Sequence, residues 1–113
     1  MSAPPLEVLK RWVAADDAGD VGTARSLLSD LAVLRVGDAV VRGFDEFMAW
    51  YAQRRQEQGP AFAYAVLDLM GGSNHAAAVI RLTDGTVAWR QVAVFEIRDG
   101  LIAGMVAYED EPH

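Results

Sequence analysis

The chain has 113 residues, no cysteine and a formal net charge of −6; hydrophobic residues make up 52% of it and charged residues 23%. That length suits a single domain, 1–113, with a core of its own, and that balance argues against disorder. The acid excess repels a phosphate backbone, the lack of cysteine removes disulfide and thiolate chemistry, and no apolar run approaches the roughly 20 residues that cross a bilayer, so neither nucleic acid nor membrane is an expected partner.

The opening MSAPPLEVLK shows no charged leader, apolar block and cleavage site in series, and a cytoplasmic protein is expected. A first helix is expected behind Ser2, with Pro4 and Pro5 in its first turn, where a missing N–H does no harm. Leu6, Leu9 and Val13, flanked by Val8 and Trp12, recur at helical spacing as its buried stripe, and Gly19 stops it. Asp20 then caps a short second helix carrying Val21, Ala24, Leu27 and Leu28. The segments LAVLRV and AVVR around Gly37-Asp38 read as a small hairpin. A third helix opens after Gly43, with Phe44, Phe47, Met48 and Tyr51 as its apolar face, and closes at Gly59-Pro60. Arg54 and Arg55 are too short a pair for a basic patch and are expected at an exposed helix end.

From residue 61 the pattern changes to strands: AFAYAVLDLM, HAAAVIRL, TVAWRQVAVFEI and LIAGMVAY, divided by GGSN, TDG and RDG, whose residues accept the backbone of tight turns. Helices first and a strand meander afterwards predict an α+β class, with helices over one face of the sheet. Alternation on TVAWRQVAVFEI puts Val87, Trp89, Gln91, Ala93, Phe95 and Ile97 on one side, and Ala88, Arg90, Val92, Val94, Glu96 and Arg98 on the other. Both sides carry apolar groups, so the outer one is expected to be covered by a second copy of the chain, centred on Val79, Val92, Val94 and Val106.

The first helix ending in AGD, the third opening at GFDEF and the closing VAVFEIRDGLIAGMVAYED together resemble the nuclear-transport-factor-2-like superfamily, in its SnoaL-like and ketosteroid-isomerase-like branches. The resemblance covers nearly the whole chain. It implies a cone-shaped, curved antiparallel sheet with three helices on its concave face, a pocket at one end and a sheet-to-sheet homodimer. The isomerase branch places a phenol, a basic carboxylate and a protonated carboxyl at slots that hold Trp12, Val36 and Ala93 here. Apolar side chains move no proton, so that mechanism is not expected. The Arg and two Asp of the superfamily's epoxide hydrolases are matched by Ala76 or Ala78 and by Ala107, and the Asp or His base of its polyketide cyclases finds no inward counterpart.

Asp68, among apolar neighbours in VLDLM, is a candidate base or a solvated strand end; Gln91 is a candidate for orienting a ligand carbonyl or hydroxyl, or a core amide bonded to backbone; Glu109 falls near the cavity rim on the last strand, or is one of three solvated tail acids, the reading preferred here. These three are the catalytic candidates. His75 is expected on the outer side, Asp16 and Asp17 as the close of a helix, and Arg35 and Tyr51 near the mouth. Two histidines, one of them the terminal His113, make no metal site, and no cofactor is expected. Trp12, Met48, Tyr51, Ile80, Trp89, Phe95 and Met105 are expected to wall the pocket, with Ala76, Ala78, Ala93 and Ala107 leaving space. The expected function is binding, or cofactor-free conversion, of an apolar metabolite of polyketide, terpenoid or steroid-like kind. The alternative is a non-catalytic dimerisation or partner-binding module.

Overall fold

The computed structural model describes residues 3–110; Ser2, Glu111 and His113 lie outside them. Three helices and six strands follow in the order α1 (Pro5–Ala18), α2 (Val21–Leu27), β1 (Leu28–Val36), β2 (Ala39–Arg42), α3 (Gly43–Gln58), β3 (Ala63–Gly71), β4 (His75–Thr83), β5 (Ala88–Arg98) and β6 (Leu101–Glu109).

Pro5 occupies the first helical position of α1, where its ring costs no hydrogen bond. Gly19 ends the helix in the left-handed conformation at φ 67°, and the Asp20 N–H closes the last turn onto the Ala15 carbonyl at 2.8 Å. The Asp20 carboxylate then accepts from the Thr23 N–H at 3.1 Å and the Thr23 hydroxyl at 2.6 Å, which starts α2 and holds the acid below the usual carboxylate range. Leu28 already has extended backbone, so it opens β1 instead of continuing the helix.

The strands form one sheet in the order β2-β1-β6-β5-β4-β3. Four strands from β3 to β6 make the expected antiparallel meander, and β1 pairs antiparallel with β2. The sheet is mixed, however, because β1 runs parallel to β6, with Leu34 beside Met105 and Val36 beside Ala107. It curves without closing. α1 packs over β3, β4 and β5, and α3 over β1 and β2. Between them lies the main core of Val8, Leu9, Ala32, Leu34, Phe95 and Ile102 with their neighbours. Phe62, Leu82 and Trp89 form a smaller cluster towards the other end of the sheet.

Irregularities in two strands decide which side chains face inward. On β3 the pairing with β4 skips Leu67, so Tyr64 and Val66 point in before the bulge and Leu69 after it. On β6 an extra residue, Ala103, lets Ile102 point inward as well as Met105 and Ala107. The parity read for β5 holds: Trp89, Ala93, Phe95 and Ile97 are buried, while Val92 and Val94 on the outer face are 39% and 36% exposed.

Candidate functional site

The two core clusters do not meet completely, and the space between them is a cavity of about 120 Å³ whose walls come from both. Two helical stripes roof it. On α1, Leu9, Trp12, Val13 and Asp16 follow the i, i+3, i+4, i+7 spacing of one helix face; on α3, Phe47, Trp50, Tyr51 and Arg54 do the same. Their rings interlock, with Trp12 5.7 Å and Tyr51 6.1 Å from Phe47 between centroids. The floor is the inner sheet face. There Ala78 of β4 lies directly across from Ala93 of β5, and two methyl groups in neighbouring central positions leave the space that larger side chains would fill.

Each helical stripe ends in a charge. Arg54 reaches β6, where its Nη2 donates to both carboxylate oxygens of Glu109 at 2.6 and 2.8 Å. The Gln91 amide of β5 donates to the same carboxylate at 2.8 Å. This network is mostly shielded from solvent, the Arg54 and Glu109 side chains being 16% and 22% exposed. The guanidinium also lies over the Trp50 ring at 5.4 Å and the Phe62 ring at 6.0 Å. Its Nε is the single buried side-chain polar atom without a hydrogen-bond partner among the described residues.

Asp16 sits at the cavity mouth, with much of its surface open. Partial burial, and then the neighbouring Asp17 carboxylate, push its carboxyl above the usual aspartate range, against the pull of Arg55. Burial and the Asp16 charge likewise raise the Tyr51 phenol, while Arg55 and Arg54 oppose the rise. Asp17 accepts from the Tyr64 hydroxyl at 3.3 Å, tying the end of α1 to β3.

The family-model comparison matches residues 9–105 to the SnoaL-like domain, a span that runs from within α1 to within β6 and takes in every residue lining the cavity. The chain belongs to the SnoaL-like domain family. Among solved structures this SnoaL-like chain is similar to an NTF2-like protein from Burkholderia thailandensis E264, at 16% identity and TM-score 0.84 over 96% of this chain and 92% of that one. It is similar to a provisionally named ketosteroid isomerase from Kribbella flavida DSM 17836, at 15% identity and TM-score 0.77 over 95% and 78%. It is also similar to a provisionally named polyketide cyclase from Sinorhizobium meliloti, at 18% identity and TM-score 0.72 over 89% and 93%. At such identities the likeness is one of fold. No curated protein matches the chain significantly.

Of the residues singled out from the SnoaL-like sequence, Trp12, Tyr51, Ala78, Ile80, Gln91, Ala93, Phe95 and Met105 line the cavity. Trp12 on the roof and Val36 and Ala93 on the sheet all border it, so the three positions that the resemblance matched to the isomerase groups surround the cavity with no carboxylate or phenol in them. Glu109 joins the site through Arg54 and Gln91. Asp68 does not: the bulge at Leu67 turns it to the exposed face, where it accepts from the Leu69 N–H at 2.9 Å. Met48 lies off the α3 stripe and is 36% exposed. Trp89 and Ala107 are buried in the core beside the cavity, Trp89 against Phe62. His75 and Arg35 lie on the exposed outer face.

Arg54 was expected at an exposed helix end, and Asp16 as no more than a helix terminus. Both belong to the cavity. The signal for each was in the sequence: Arg54 stands seven residues after Phe47, and Asp16 seven after Leu9, on faces otherwise apolar. Among the described residues no three His, Asp or Glu side chains converge as metal ligands.

Proposed function

We propose that this SnoaL-like protein binds an apolar small molecule in the cavity between α1, α3 and the sheet, as a ligand-binding protein or a cofactor-free enzyme. The observation that carries the reading is an apolar hollow with a polar network built into one wall, since partly shielded hydrogen-bonding groups beside empty apolar space fix the orientation of a guest. Asp16 is the one carboxylate that lines the cavity directly, Glu109 joining the wall through Arg54 and Gln91, and its raised pKa brings proton exchange closer to neutrality, so any proton transfer is assigned to it. Gln91 and Glu109 serve in orientation, and Asp68 takes no part.

Size narrows the guest. Pockets for drug-sized ligands enclose roughly 300–1,000 Å³, whereas an engineered cavity of about 150 Å³ holds benzene. At about 120 Å³ the hollow accepts one ring, so a polyketide, terpenoid or steroid would enter by one end. The test is Ala93→Leu, which places an isobutyl group on the cavity floor. Apolar ring compounds are expected to raise the melting temperature of the parent and not of the variant, which should keep its circular dichroism. An unresponsive parent, or a variant that responds equally, would refute the reading.

A homodimer through the outer sheet face is proposed on a separate observation. Val79 pairs with Val92 and Val94 with Val106 across the middle of that face, and Tyr108, beside Val92, is 68% exposed. Sedimentation should give twice the chain mass for the parent and a monomer for Val94→Lys. A monomeric parent at high concentration would reject the dimer and leave the cavity reading untouched.

A further inference from the structure

The Arg54–Glu109–Gln91 wall carries information about the guest beyond its oiliness. An arginine on a pocket wall ordinarily advertises for a carboxylate or phosphate. Here its charge is already answered, because one Nη holds both oxygens of Glu109. The other charges at the cavity are Asp16 on the wall, Asp17 beside it and Arg55 near Tyr51, so acids outnumber bases there. An anionic guest would meet an arginine already paired with Glu109 and one more carboxylate than base.

What the wall leaves unanswered is a donor. Arg54 Nε–H is buried without an acceptor, in a guanidinium that lies over the Trp50 and Phe62 rings and is held to Glu109 through Nη2. A buried donor sealed from water is stabilised by any acceptor that a guest brings, and its fixed position lets it select for one. Arg54 itself lines the cavity, together with Gln91 and Phe62.

Resting on the cavity reading above, we propose that the pocket selects a neutral, ring-sized molecule bearing one hydrogen-bond acceptor, a carbonyl or ether oxygen, to which Arg54 Nε–H donates; acids of the same shape are excluded. Three probes of one frame separate the possibilities: acetophenone, ethylbenzene and benzoate, titrated by calorimetry at pH 7.5. Acetophenone is expected to bind about tenfold more tightly than ethylbenzene, and benzoate more weakly than either. Arg54→Lys keeps a cation for Glu109 and removes the Nε–H. In that variant the preference for acetophenone over ethylbenzene should fall to within about twofold, whatever the change in affinity common to both. If acetophenone and ethylbenzene bind the parent equally, if benzoate binds best, or if Arg54→Lys keeps the full preference, the selection proposed here is wrong although the cavity binds guests. If none of the three binds, the cavity reading fails with it.

Discussion

Removing Glu109 tests whether the wall network is part of the structure's support. Glu109→Ala leaves the Arg54 guanidinium, which lies over the Trp50 and Phe62 rings, without its carboxylate, at a site where the two side chains are only 16% and 22% exposed. Breaking a fully buried pair from one side costs about 3–5 kcal/mol, and an exposed pair costs about 0–1. Partial shielding places Glu109→Ala between these, at about 2–3 kcal/mol. Arg54→Met should cost less, about 1–2 kcal/mol, because the orphaned carboxylate keeps the Gln91 amide as a donor and methionine fills part of the apolar contact. The double variant should be less destabilised than the two single losses added, by a coupling of about 1–2 kcal/mol. Urea unfolding followed by fluorescence of the three tryptophans supplies the values, with equal slopes required across the set. The coupling should persist at 1 M salt, where the exposed Glu7–Arg11 pair would be screened. Single losses under about 0.5 kcal/mol, or a coupling near zero, would show the network to be an ordinary surface ion pair and remove the basis for a preorganised wall.

Asp16→Asn should stabilise the fold at neutral pH. A folded-state pKa raised above the unfolded value means that the native state holds the proton more tightly, so stability is lost as pH rises through and above 3.8; asparagine escapes that loss, and the gain over the parent should vanish below about pH 3.8. Thermal melts at pH 3 and pH 7 check this, and an equal difference at both would contradict it. Gly71→Ala should destabilise by about 1–3 kcal/mol, since its new methyl would stand 2.6 Å from Cβ of Leu6, an atom tied to the α1 backbone and unable to swing aside. An unchanged urea midpoint would show that α1 can lift off β3 at little cost.

Local rules carried the sequence reading a long way and failed at identifiable places. The inward parity of β5, the turns at Asp84-Gly85 and Asp99-Gly100, and the capping of α2 by Asp20 depend on near neighbours, and they were legible. The parallel pairing of β1 with β6 joins segments about seventy residues apart, and alternation says nothing of which strand lies beside which. Asp68 shows the limit of parity: with a regular β3 it would follow Tyr64 and Val66 inward, and one surplus residue at Leu67 reverses it. On α3 the apolar run Phe44, Phe47, Met48 and Tyr51 satisfied helical spacing, yet the face that meets the cavity is Phe47, Trp50, Tyr51 and Arg54. A charged residue ending an apolar stripe looks like a solvated terminus until its partner is known. Glu109 lies 55 positions away, and no local pattern connects them.

Ala78 and Ala93 face each other across β4 and β5 in the middle of the floor, and neither anchors a hydrogen-bonding side chain. The dimensions of the chamber can therefore be altered at this one opposed pair while the struts joining α3, β5 and β6 stay in place. Bulkier residues there would shut it, and trimming Phe95 or Met105 nearby would deepen it. On the reading proposed above, a protein built this way would change guests by small steps within an unaltered frame, keeping the proposed preference for uncharged molecules as long as Arg54 and Glu109 remain clasped.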